Sequence, residues 1–228
     1  MDADYSVSYT QNLSKYLVKT YGWMFIGLAI TFFTSVALIY SGLVLSLLRN
    51  YYTVWILLIA EVLVVAMLTV RLHKMSIGAA FFTFFLYAFI NGITLSPILF
   101  MYGAQTSIIV FAVAAVFFGL MALYGMVTKQ DLSSFGRILV FGLIGLLLMT
   151  LVSIFLRLEQ LDMIICYIGL AIFLGLTAYD TWRIKKSFEV VQQDKAILTK
   201  ASIFGALQLY LDFINIFLYL LRILGKRN

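Results

Sequence analysis

Seven runs of about 20 predominantly apolar residues, the length needed to cross a hydrocarbon core of ~30 Å, follow one another along the chain. They cover 21–41, 52–71, 76–97, 106–127, 137–157, 162–182 and 201–222. The gaps between them are short, and no Pro-rich, Ser-rich or charged linker separates any two. The pattern predicts an all-α membrane protein, a seven-helix bundle forming one domain over residues 1–228.

The polar residues that interrupt these runs are more informative than the runs. In the last run Ser202, Gly205, Gln208, Asp212, Asn215, Tyr219 and Arg222 recur every three or four residues and so share one helix face. Lipid satisfies no polar group, so this stripe must face protein or a wet cavity. The last helix, about 201–222, is therefore expected at the centre of the bundle. The third run carries a weaker stripe of Thr83, Tyr87, Asn91 and Thr94 before Pro97, the single proline. Pro97 lacks an amide hydrogen, which frees the Ile93 carbonyl either for a cation or for a plain kink.

Three carboxylates lie inside the runs: Glu61 in the second, Asp180 in the last turns of the sixth and Asp212 in the middle of the seventh. An acidic side chain at mid-membrane costs about 2.5–3.5 kcal/mol on insertion scales, so each requires a partner or a function. At ~1.5 Å per residue Asp212 lies roughly 16 Å along its helix from the inner end. Asp180 precedes it on the adjoining helix. If the two meet they would share a proton and act as a pH switch; if they do not, each serves as polar glue between helices. Arg71, at the inner end of the second run, is either a latch on Asp180 or an ordinary topology marker.

Composition agrees with the pattern. Hydrophobic residues make up 64% of the chain and charged residues 11%, against roughly 45–50% and 25% in soluble domains. The net charge of +6 sits mostly in the short gaps, where it orients the chain; no nucleic-acid motif is present. With the N-terminus inside, Lys15, Lys19, Arg71, Lys74, Lys129, Arg137, Arg183, Lys185, Lys186, Lys195 and Lys200 fall inside. Arg49, Arg157, Arg222, Lys226 and Arg227 fall outside. A cytoplasmic N-terminus follows, and the polar stretch before the first run argues against a cleaved secretory signal. Cys166 is the lone cysteine, read as a small core residue, and His73, in a short inner loop, is given no role.

Two segments carry a resemblance. Residues 179–185 (YDTWRIK) with 206–215 (ALQLYLDFIN) resemble the closing signature of the Bax-inhibitor family of multi-pass membrane proteins, and 91–97 (NGITLSP) is similar to its third-helix motif. The resemblance spans nearly the whole chain and implies a seven-helix fold with the last helix central. It further implies a pH-governed calcium leak with Asp180 and Asp212 as proton sensor and Arg71 as latch, Glu61, Asn91, Thr94, Gln208 and Asn215 being supporting polar lining. The match at Arg71 is the loosest. Ca²⁺ would be the permeating ion, touching Asp180 and Asp212, since it prefers oxygen ligands; no cofactor is implied. The compact N-terminal tail resembles bacterial members, which places the protein in a bacterial inner membrane.

Two other function classes compete. A non-conducting protein could bind and restrain another membrane protein, such as a membrane protease or a cell-death factor. Intramembrane aspartyl proteases also pair two membrane aspartates, but they set Gly-x-Gly-Asp at the second one, whereas Asp212 follows Leu209, Tyr210 and Leu211. An enzyme is not expected.

Overall fold

Lipid offers the backbone no hydrogen-bond partner, so each apolar run closes its own bonds as a helix. In the computed structural model, which describes residues 2–156 and 159–225, the chain is all-α. The described helices are α1 (Asp2–Tyr40), α2 (Leu43–Arg49), α3 (Tyr51–Arg71), α4 (Ile77–Tyr102), α5 (Ala104–Val127), α6 (Ser133–Leu156), α7 (Glu159–Val191) and α8 (Lys195–Leu224). A 3-10 turn, Leu72–Lys74, links α3 to α4.

Six of these are long and apolar enough to cross a membrane: Tyr9–Tyr40, Ile77–Tyr102, Ala104–Val127, Ser133–Ser153, Leu161–Val191 and Lys195–Leu224. The expected second span, 52–71, is helical as α3 but is not one of the six; the side chains of residues 51 and 54 lie outside the described residues. Arg157, where the expected fifth span ends, lies outside them too, as do Lys226 and Arg227 of the charge count and the side chain of His73. The apolar window of α8 is 67% buried, against 17% for that of α6.

Several boundaries differ from the apolar runs, each for a local reason. The polar N-terminal stretch is helical, so α1 has 39 residues and a length of about 58 Å. The sixth run was expected to end at 182, yet α7 continues to Val191 because Phe188, buried, packs against the rings of Tyr9 and Tyr16, each 5.5 Å away. Asp194 starts α8: its Oδ1 accepts from the amides of Ala196 (2.7 Å) and Ile197 (3.1 Å), satisfying two orphan donors. The short α2 was not anticipated; Gly42, at φ 75°, makes the sharp joint before it, and Gly103, at φ 77°, makes the one between α4 and α5.

The described helices group into two compact units: Met1–Met101 with Ile184–Tyr210, and Tyr102–Arg183 with Leu211–Asn228. In the first, small residues let backbones touch. Gly27, Thr31 and Ser35 recur every fourth residue on α1 and meet Phe84, Ala88 and Gly92, also four apart, on α4. The Thr31 hydroxyl lies 2.9 Å from the Ala88 carbonyl and the Ser35 hydroxyl 2.6 Å from that of Gly92. A Cβ on Gly92 would come within 2.7 Å of the Thr31 carbonyl oxygen. Packing and interhelical hydrogen bonds hold membrane helices together where lipid removes the hydrophobic drive. Thr31→Val keeps the shape and removes the hydroxyl that serves Ala88 and Tyr210. It should destabilise the detergent-purified protein by about 1–3 kcal/mol, seen as a lower thermal midpoint.

In the second unit α7 is enclosed in the same manner. Gly125 of α5 abuts Ala178 and Thr181, Gly136 of α6 lies under the Tyr179 ring, and Gly175 faces Leu139. Gly169 lies against the ring of Tyr219 on α8. The stretch 178–181 of α7 is thus gripped from α5 and α6, and the carboxylate within it is fixed by backbone rather than by its own bonds.

Candidate functional site: a buried carboxylate pair

That carboxylate is Asp180, 7% exposed. Asp212 of α8, 3% exposed, belongs to the same unit, and the two lie near enough for their charges to interact directly. The residue after Asp212 ties α8 to α5: Phe213 packs on Phe111 (5.0 Å) and Phe118 (5.6 Å), and Phe217 on Phe111 (6.1 Å). The Asp212 Oδ2 is buried and has no hydrogen-bond partner among the described residues. Burying a polar oxygen unpaired costs about 1–3 kcal/mol, and more for a charge, so the position is retained against stability.

Asp180 has a cation, but a distant one. Arg183, one turn further along α7, places Nη1 3.9 Å from Asp180 Oδ1 with its own side chain 46% exposed. With its cation half in solvent and at that separation, the pair contributes about 1 kcal/mol at most. Arg183 was counted from sequence among the inner basic residues; its spacing of three residues from Asp180 was the available signal of an ion pair. Arg71, the expected latch, is exposed at the end of α3, within the first unit.

The supporting residues divide. Glu61 of α3 faces Asn91 and Thr94 of α4, all within the first unit. Gln208 also belongs to that unit and is half-buried. Asn215 is in the unit of the aspartates, but its Nδ2 donates to its own helix at the Leu211 carbonyl (2.8 Å). The residue that sequence reasoning passed over is Tyr210, fully buried. Its hydroxyl meets Thr31 Oγ1 at 2.6 Å and donates to Asn91 Oδ1 at 3.1 Å.

Pro97 lies inside α4 and does not break it. α4 runs through it to Tyr102, and the Ser96 hydroxyl donates to the freed Ile93 carbonyl at 2.8 Å. The carbonyl has the partner the proline denied it. Ser96→Ala should therefore cost about 1–3 kcal/mol in a detergent melt, seen as a lower thermal midpoint. Among the described residues no three His, Cys, Asp or Glu side chains group as a metal site. Cys166 is buried in α7, as expected of a small core residue.

Helices of membrane-crossing length that expose large apolar side chains outward, and carry carboxylates buried inward, define an integral membrane protein. The chain matches the family described as "Inhibitor of apoptosis-promoting Bax1" over residues 13–228, and it belongs to that Bax-inhibitor family. It is 44% identical over 218 residues to the inner membrane protein YbhL of Escherichia coli K12, covering 95% of this chain and 93% of that one. A protein of Deinococcus radiodurans is 39% identical over 217 residues (93% and 91%), and one of Borreliella burgdorferi 35% over 216 (94% and 93%). None of these relatives bears an enzyme's name.

Proposed function

We propose that the protein is a pH-sensitive Ca²⁺ leak pathway in which Asp180 and Asp212 form the proton-sensing element. The unpartnered Oδ2 of Asp212 beside a second carboxyl carries this reading. Two facing carboxyls ionise as a coupled pair, so the charge along the pathway changes with pH in one region of the protein. When both are ionised they offer the hard oxygen ligands that Ca²⁺ takes, and two carboxylates without a full cage suit an ion in transit. Ca²⁺ is the cargo, and protons are the regulator.

The rest of the architecture follows the same reading. α3, at 21 residues, is about 31 Å long and serves as the seventh span. α8 is the innermost helix, in keeping with the buried share of its apolar window, the largest of the six. The N-terminus is cytoplasmic, Arg71 is the latch of the closed state, and the membrane is a bacterial inner membrane, as the name of the E. coli relative says of that protein. Ca²⁺ entry into dye-loaded liposomes tests the proposal: flux above that of protein-free vesicles, changing as pH is stepped through neutrality, supports it, and equal flux at every pH refutes it.

The family's description as an inhibitor favours a second reading, a non-conducting protein that restrains another membrane protein such as a membrane protease. Liposomes with no flux above that of protein-free vesicles, together with a stoichiometric partner retained through purification, would put that reading first.

A further inference from the structure

Four hydrogen-bond contacts meet at two hydroxyls where α1, α4 and α8 come together in the first unit. Thr31 Oγ1 lies 2.6 Å from the Tyr210 hydroxyl, 2.9 Å from the Ala88 carbonyl oxygen and 3.1 Å from that of Gly27. The Tyr210 hydroxyl also lies 3.1 Å from Asn91 Oδ1. The two carbonyls and the Asn91 oxygen accept and do not donate, so in these contacts the hydrogens come from Thr31 and Tyr210, one from each. Both side chains are buried, so bulk water does not complete the set.

The shortest contact decides how the hydrogens divide. Two hydroxyl oxygens 2.6 Å apart hold a hydrogen between them, since their lone pairs would otherwise repel at that distance. That leaves one hydrogen for the remaining acceptors. If Thr31 donates to Tyr210, the Tyr210 hydrogen goes to Asn91, and the Ala88 and Gly27 carbonyls receive nothing from Thr31. If Tyr210 donates to Thr31, the Thr31 hydrogen goes to Ala88 or Gly27, and Asn91 receives nothing from Tyr210. Each arrangement makes two hydroxyl bonds, and the carbonyls keep their own helical amide partners inside α1 and α4 in both. The Tyr87 phenol, its ring 5.7 Å from that of Tyr210, is present in both arrangements and does not enter this count.

We propose that Thr31 and Tyr210 form a two-position hydrogen-bond switch, in which α4 is held either by α8 through Asn91 or by α1 through the Ala88 carbonyl. The bond between Thr31 and Tyr210 persists in both positions and only its direction reverses. Thr20 and Ser202, 3.0 Å apart, tie α1 to α8 elsewhere and take no part. A shift of α4 that lengthens the 2.9 Å contact to Ala88 or shortens the 3.1 Å contact to Asn91 throws the switch toward Asn91. Tyr210 stands two residues before Asp212, so the helix that carries one of the paired carboxyls carries the switch as well.

Nuclear magnetic resonance of the protein in nanodiscs reads the switch at Asn91 Cγ, which moves downfield when its oxygen accepts a hydrogen. Asn91–Gly92 is the one Asn–Gly pair in the chain, so carbon-labelled asparagine combined with nitrogen-labelled glycine assigns the signal without a substitution. The measurement needs no ion flux, so it stands or falls apart from the conduction proposal. Thr31→Val leaves Asn91 as the acceptor of the Tyr210 hydrogen and gives one endpoint; Thr31→Ala supplies the same endpoint where Thr31→Val fails to fold. Tyr210→Phe keeps the ring against Phe84 and Tyr87, removes the donor and gives the other endpoint. The expected wild-type resonance lies between the two, with the Thr31 variant furthest downfield, or splits into two where exchange is slow. A wild-type resonance that coincides with either endpoint means that one arrangement holds throughout, and it overturns the switch.

Discussion

Asp212→Asn should give a protein that folds at least as well as the wild type and whose Ca²⁺ flux no longer follows pH. The amide has nearly the shape of the carboxyl, and the packing of the adjacent Phe213 on Phe111 and Phe118 is untouched. What changes is charge: the unpartnered Oδ2 is replaced by a neutral group, so an unpaired buried charge is removed. Asp180 then titrates without a like charge beside it, and the coupled transition disappears. Flux measured in matched liposomes should run flat across the range where the wild-type flux changes. A variant profile that overlays the wild type would show that Asp212 is polar glue and nothing more.

Gly125→Val should be the most damaging single change in the second unit. A Cβ there would fall 2.9 Å from Thr181 Cβ, and closer still to the Ala178 carbonyl oxygen, neither of which is the loose end of a flexible side chain. Overpacking of this kind costs about 1–3 kcal/mol where the structure can adjust and more where backbone meets backbone. Because residues 178–181 carry Asp180, the displacement also shifts its carboxyl relative to Asp212. Thermal unfolding should show a large loss of stability, and whatever folds should conduct without the wild-type pH profile. Gly119→Val is the control: it sits on the same helix, a Cβ there meets nothing within 4 Å, and it should be silent.

The carboxylate pair was legible in the sequence because lipid makes an acidic side chain conspicuous: Asp180 and Asp212 stand out from runs of Leu, Ile and Phe, and the price of burying them is what flags them. How close they come was left open, since depth along two helices does not fix the angle at which they cross; Gly169, the glycine of α7 that lies against Tyr219 of α8, looks like any other in a membrane helix. The ion pair of Arg183 with Asp180 was not anticipated, because a basic residue at a helix end has an ordinary explanation ready. Tyr210 was hidden by its ring, which reads as one more aromatic. Its role depends on Thr31 and Asn91, 179 and 119 residues away in sequence. Helix extents failed where the apolar rule stops applying: α1 and α7 run on past their apolar runs on aromatic contacts such as Tyr16 with Phe188.

The central claim is that Asp180 and Asp212 act as one unit, and a double-mutant cycle on the pH profile of Ca²⁺ flux tests it most directly. Asp180→Asn, Asp212→Asn and the double variant would be reconstituted at equal density and assayed across neutral pH. If the two carboxyls share a proton, each single change abolishes the pH dependence and the double change adds nothing. If each single variant keeps part of the dependence and the double variant shows the sum of two independent losses, the aspartates titrate separately and the account of the site is contradicted.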